Sequence, residues 1–385
     1  AAALAAGTLS GCSKAIDGTK TVATVGDEKV TLGLASYMTR DQQAQTMSYY
    51  NMLMSQYGVS GSASNVWDQK GDDGKTVGEN SKDSVMKTIN QLYVLKAHAA
   101  DYDVTITEDE EKAIKEAAAE FIKDNDEKIL KKLAVSEDDI VTYLELVTIR
   151  SKMHDPMTAD VDTEVSANEK DQTRVTIVKV STEGTEKDDD GNTIDLTDEE
   201  KAQKKDLAQQ VLDKVKASDD VANADMDALA KEVDDSLSAT APAFTTAGDT
   251  DDTLDEAVQD AALELKDGEV ADKVIEGDDG YYVVRLDKML DEDATENKEK
   301  TVISERKSDL YDSTLEDWVK EEKIKVDDKV WDQIKVTDSV SFEYKSTDSS
   351  KGDSTATDAD STKDTEDTSA QDSSASDSAA EDSAE

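Results

Sequence analysis

Few side chains in this 385-residue chain could carry proton, metal or nucleophile chemistry. There are two histidines, His98 and His154, and a single cysteine, Cys12. An imidazole is the common acid–base group near neutral pH and a common metal ligand. These two stand 56 positions apart with no carboxylate set at ligand spacing, so an ordinary polar surface role is expected for both. One thiol rules out an internal disulfide, a multi-cysteine zinc site and a CxxC redox pair. The acidic run Asp188-Asp189-Asp190-Gly191-Asn192 has the look of a calcium loop. Placing Gly191 at the sixth position of an EF-hand puts Glu186 first and Thr197 twelfth, where a bidentate Glu is required. That excludes an EF-hand and leaves room only for weak surface calcium binding. No HExxH, GxSxG or Gly-rich phosphate loop is present. Neither a metal nor a cofactor is expected.

A different kind of site is suggested by Tyr37, Met38, Met47, Tyr50, Met54 and Tyr57, which recur at helical spacing between about Leu34 and Tyr57. Flexible thioethers and amphipathic rings adapt to varied apolar partners. Such a stripe also serves as plain core, and both uses are compatible if one face packs and another lines a groove.

The elements that must position these residues are mostly helical. Two prolines, 4% aromatics and long runs of Ala, Glu, Lys, Leu and Asp favour helix. Ninety-one acidic against 43 basic residues give a net charge of −48, which repels nucleic acid and could hold basic or unfolded segments by long-range attraction. No stretch approaches the ~20 apolar residues of a membrane helix.

Val22, Val25, Val30 and Leu32 flank a Gly26-Asp27 turn and predict a short extended pair before the Met/Tyr helix. Gly58 to Gly78 reads as a loop, and Lys82 to Tyr102 as a second helix. Thr107-Glu108-Asp109-Glu110 predicts a capping box and a third helix. A turn at Ala134 to Asp139 opens the next, carrying Ile140, Tyr143, Leu144, Val147 and Ile149. From residue 172 short β-rich runs alternate with helices, giving an α+β pattern. Its parts are a strand at Arg174–Val180, a helix capped at Thr197, a short helix at Met226–Val233, an extended piece around Phe244, a helix at Leu254–Leu265 and a strand at Tyr281–Leu286. A charged helix follows from Asp291 to about Lys323, then IKVDDKVWDQIKV. Residues 345–385 are nearly all Ser, Thr, Asp, Ala, Glu and Lys, a composition that cannot bury enough apolar surface to fold.

Three resemblances emerge from these motifs. Leu9-Ser10-Gly11-Cys12, after small apolar residues, resembles the lipobox of bacterial lipoproteins. It implies diacylglycerol on Cys12, and the missing Met and charged n-region suggest a trimmed precursor. The series VATVGDEKVTLGLASYM, VTITEDEEKAIKEAAAEF and KILKKLAVSEDDIVTYLELVTIRSKM resembles the N-terminal region of the PrsA/SurA family. The segment LELKDGEVADKVIEGDDGYYVVRL resembles the parvulin pattern through Leu265, Gly268, Glu269, Val274, Gly280 and Tyr281.

These resemblances imply an extracytoplasmic, lipid-anchored foldase on the cell membrane, in a Gram-positive bacterium. Its fold would be a helical chaperone lobe with an inserted parvulin-like domain. The organisation expected is a signal remnant and lipobox at 1–12, a tether at 13–20, a helical region at 21–158, the parvulin-like domain at 172–290, a returning C-terminal segment at 291–344 and an acidic tail at 345–385. Partners would be unfolded exported proteins and, through the anchor, a membrane; nucleic acid is excluded and a homodimer is left open.

Parvulin isomerases hold two histidines beneath the prolyl peptide, and this domain departs from that pattern. The first falls at Thr176 or Ile177 and the second at Tyr282, while Asp235 could retain the acidic position or be a solvated loop acid. The expectation is therefore a chaperone with a weak or inactive isomerase domain. The alternatives are an active peptidyl-prolyl isomerase and a surface lipoprotein of another kind, such as an adhesin or receptor.

Overall fold

A computed structural model describes residues 16–56, 66–185, 187, 193–246 and 254–336. Cys12, Tyr57, the acidic run Asp188–Asn192 and the segment 345–385 lie outside the described residues. The fold is α+β.

The chain opens with strands β1 (Thr21–Val25) and β2 (Glu28–Thr31), antiparallel about the Gly26-Asp27 turn. Helix α1 (Leu32–Gln56) follows directly. Helix α2 (Val77–His98) starts earlier than its apolar periodicity suggests, because Thr76 and Glu79 form a capping box inside the Gly/Asp-rich stretch. It stops at His98, and the chain tightens into a 3-10 turn over Ala99–Tyr102 closed by Asp103 at φ 56°. Helix α3 (Glu108–Asp124) has the expected box between Thr107 and Glu110. The helical sequence then breaks at Asn125, and Asp126 caps a separate α4 (Glu127–Leu133) through the Lys128 amide at 2.7 Å. Ser136 and Asp139 box the start of α5 (Glu137–Met157).

After a connector containing α6 (Ala167–Lys170), β3 (Gln172–Ser181) begins a second sheet. Helices α7 (Asp198–Lys216) and α8 (Met226–Lys231) come next, then β4 (Ala239–Thr240), β5 (Ala243–Thr245) and α9 (Glu256–Leu263). Strands β6 (Ile275–Glu276) and β7 (Gly280–Lys288) complete the sheet. The 30-residue α10 (Glu292–Glu321) leads back to β8 (Ile324–Val326) and α11 (Asp328–Trp331).

The two sheets have separate cores. In the first, the strand order is β2-β1-β8, so the segment after α10 completes a sheet begun by β1 and β2. Val22, Leu32, Ile89, Leu95, Ile140 and Met153 share one buried cluster there with Leu315, Trp331 and Ile334. Burial of this kind is the main favourable term in folding, worth about 25 cal/mol per Å² of apolar surface. Asp139 ties the pieces locally: beyond its capping role it accepts a 2.5 Å hydrogen bond from the Thr31 hydroxyl. A Cβ on Gly33 would stand 2.2 Å from the Asp139 carboxylate, so only glycine permits this approach.

In the second sheet the order is β4-β3-β7-β6, with β5 also on β3. Alternation along β3 and β7 feeds two clusters. Val178, Val180, Tyr281 and Val283 pack under α7 and α8, and Val175, Ile177, Tyr282, Val284 and Leu286 pack with Phe244 and α9.

Both surface histidines meet an aromatic ring on α10. His98 stacks on Trp318, and His154 lies 5.4 Å from the Tyr311 ring. Each histidine keeps a polar surface partner, His98 beside Asp101 and His154 beside Asp155, and has an aromatic ring on the returning helix as well.

Candidate functional site

The register of β3 against β7 decides which residues could meet at the sheet-domain site. Ile177 pairs with Val284 and Lys179 with Tyr282. Because side chains alternate, Ile177 lies on the Tyr282 face, whereas Thr176 lies on the other. There the Thr176 hydroxyl donates to Asp287 at 2.6 Å and accepts from Arg285 at 3.3 Å. Arg285 also donates to the carbonyls of Val221 and Ala224, anchoring the turn beneath α7. Of the two residues that could occupy the first position, Ile177 is the one that shares a face with Tyr282.

Tyr282 is 4% exposed, and its hydroxyl donates to the Asp279 carboxylate. Burial, reinforced by the Asp279 charge, holds this phenol well above its ordinary range. Lys179 donates to Asp279 as well, and keeps that carboxyl below its usual range. A Cβ on Gly277 would come within 2.9 Å of the Tyr282 ring and 2.3 Å of Asp255, so glycine is what lets the turn close over the phenol. Ile177 is aliphatic and 6% exposed. A sealed aliphatic side chain beside a neutral, already bonded phenol has no group that exchanges protons near neutral pH. Asp235 is exposed in the turn after α8, beside Val233 and Leu237, which pack in the core of the opposite face. The turn itself is held by Asp234, which accepts from the Ser236 amide at 2.8 Å.

On α1 the aromatic and thioether residues divide along the helix rather than around it. Tyr37 and Met38 are 6% and 7% exposed. Tyr37 meets Phe121 and Tyr143 edge-on, at 5.4 Å and 5.0 Å between ring centroids. These two belong to the core and cannot receive a client without unpacking it. Met47, Tyr50 and Met54 are half-buried. Two neighbours that the stripe reading passed over are far more open: Tyr49 is 60% exposed and Met52 57%. A second signal in the sequence marks them. In a chain that is 35% charged, no charged residue occurs from Gln42 to Trp67.

Beside the earlier part of α1, from Met38 to Gln45, a cleft of about 340 Å³ lies between α1, α2 and α5. Met38, Leu92, Tyr143 and Val147 supply apolar wall; Asp41, Gln45 and Arg150 supply polar rim. Burial raises the Tyr143 phenol above its ordinary range, with the Asp41 charge adding to the effect. Among the described residues no group of three or more His, Cys, Asp or Glu side chains could hold a metal ion. No helix of the described residues is long and apolar enough to cross a membrane.

Residues 186–301 match the family of PPIC-type PPIase domains. The match includes Asp235 and Tyr282 and begins after β3, so Ile177 precedes it. No curated protein sequence matches the chain. Among solved structures, the chain is similar to the foldase protein PrsA of Lactococcus lactis, at 15% identity over 81% of this chain and 96% of that one, with a TM-score of 0.33. PrsA of Streptococcus pneumoniae is 15% identical over 68% of this chain and 96% of its own, with a TM-score of 0.31. PrsA of Bacillus subtilis is 16% identical over 67% and 92%, with a TM-score of 0.22.

Proposed function

With a PPIC-type PPIase match over residues 186–301 and a resemblance to foldases of the PrsA kind as premise, we propose that this chain is a chaperone of exported proteins whose parvulin-like domain has lost isomerase activity. Unfolded clients would rest on the outer half of α1, on Met47, Tyr49, Tyr50, Met52 and Met54. Diacylglycerol on Cys12 would hold the protein at the outer face of the cell membrane. An anchor of more than one acyl chain makes that attachment durable.

The observation that carries the reading is the contrast between the two sites. Apolar side chains stand open on α1. On this reading the family's histidine positions fall at Thr176 or Ile177 and at Tyr282; Ile177, on the Tyr282 face, is sealed, and the Tyr282 hydroxyl is bound to a carboxylate. Prolyl rotation has a barrier of ~18–20 kcal/mol and is eased by groups arranged around the turning amide. Holding an unfolded segment needs no such groups.

The family match favours a second reading, an active isomerase that uses Tyr282 and Asp235. One preparation separates the two. Aggregation of an unfolded protein and refolding of a proline-limited substrate are measured side by side. The chaperone reading expects suppressed aggregation with isomerisation near the uncatalysed rate. Isomerisation at an ordinary parvulin's rate, abolished by Tyr282→Phe or Asp235→Ala, would establish the second reading instead. The anchor has its own test: mass spectrometry of membrane-extracted protein should find a diacylglyceryl group on Cys12, and an unmodified thiol following residues 1–11 would refute it.

A further inference from the structure

We infer that the outer half of α1 selects client segments that combine apolar with basic residues; this rests on the reading of α1 as the client surface. The helix has only two charged residues. Arg40 is 8% exposed, and burial lowers its pKa. Asp41 is the one charge at its surface. From Gln42 onward the helix offers thioethers, phenols, amides and hydroxyls and no charge at all. This neutral strip sits on a protein of net charge −48.

Two ranges of interaction then act on an arriving segment. Within contact distance Tyr49 and Met52, both more than half exposed, reward apolar side chains and are indifferent to charge. Beyond contact, out to about 10 Å at ~0.1 M salt, the field of the excess carboxylates draws positive segments and repels negative ones. No lysine or arginine on the strip offsets that field. A client rich in Lys and Arg among its apolar residues is therefore captured faster, and an acidic client of equal apolar content is turned away. Such a division places the selectivity in association and the hold in apolar contact.

The experiment uses the full chain and two fluorescent unfolded peptides with identical apolar residues, one carrying four lysines and the other four glutamates. Fluorescence anisotropy is followed at low salt and at ~0.5 M salt, where the Debye length shrinks below ~5 Å. The expected result is about tenfold tighter binding of the basic peptide at low salt, with the difference collapsing at high salt. Ser48→Lys with Gln56→Lys, both at exposed positions, should narrow the difference. Met47→Ser, Tyr49→Ser and Met52→Ser together should weaken both peptides, with circular dichroism confirming that the helix persists. Equal, salt-insensitive binding of the two peptides would overturn the charge selection and leave the client surface standing. A basic preference untouched by both sets of substitutions would place selection elsewhere and overturn this inference. Binding of neither peptide would overturn the client surface itself.

Discussion

The imidazole of His98 lies flat against the indole of Trp318, with ring centroids 4.0 Å apart and planes inclined by 12°. One residue ends α2 and the other belongs to the last turns of α10, so the contact joins segments 220 positions apart in the chain. Tyr102 reaches the same indole at 5.9 Å. A double-mutant cycle of His98→Ala and Trp318→Ala, followed by urea unfolding, should return a coupling of about 0.5–1.5 kcal/mol. Additive effects would mean that the rings merely adjoin.

The two halves of α1 should respond oppositely to truncation. Tyr37→Ala removes a ring packed against Phe121 and Tyr143 and should cost about 3–5 kcal/mol. Met47→Ala, Tyr50→Ala and Met54→Ala combined should cost less than Tyr37→Ala alone, since all three are only half-buried. Thermal or urea unfolding reads both. A triple variant as damaging as Tyr37→Ala would show the outer half to be core as well.

Acid should act on Glu110 late. Its carboxylate accepts two hydrogen bonds from Lys152, at 2.7 and 2.9 Å, and one from the Thr107 amide at 2.8 Å. Lys152 foremost, then the Thr107 backbone, hold its pKa down to about 2, from 4.5. A carboxyl depressed in the folded state adds stability above its unfolded pKa and loses it as pH falls through the folded one. The contribution of this site is therefore complete above pH 4.5 and fades between there and about 2. Carboxyl NMR should show the late midpoint. Lys152→Met should move it upward, and a Glu110 midpoint unchanged in that variant would refute the assignment.

Arg306 clasps the connector between the two cores. Its guanidinium donates to the carbonyls of Asp162 and Glu164, at 3.0 and 2.9 Å, and to the Glu169 carboxylate. Lys170 with Glu299, and Arg174 with Asp291, continue the attachment along α10. Arg306→Ala should leave the main unfolding transition nearly unchanged yet speed proteolysis between residues 158 and 170 several-fold. Cleavage at the wild-type rate would show that the other pairs suffice.

Much of this architecture could be read from local sequence. Thr107, Ser136 and Thr197 each cap a helix with the acid three residues on, because a cap is a bargain among neighbours and needs nothing distant. The β-branched and aromatic residues of Arg174–Val180 and Tyr281–Leu286 likewise announce strands. The shortage of histidine in the sheet domain follows from counting alone, and so does the charge-free run from Gln42 to Trp67.

Other features were decided only by partners far away in the chain. Helical spacing groups Tyr37 with Met54, but α3 and α5 cover the first and leave the second half-open, and periodicity along one helix has no knowledge of how far its neighbours extend. Thr176 and Ile177 are adjacent and equally eligible in sequence; the pairing of β3 with β7 puts Ile177 on the Tyr282 face, since a one-residue shift in register exchanges the two sides of a strand. The isolated look of His98 and His154 dissolves for the same reason, once α10 returns to lay Trp318 and Tyr311 beside them. Local hydrogen bonding and side-chain period are properties of neighbouring residues, whereas burial and register are properties of whichever distant surfaces the chain brings together.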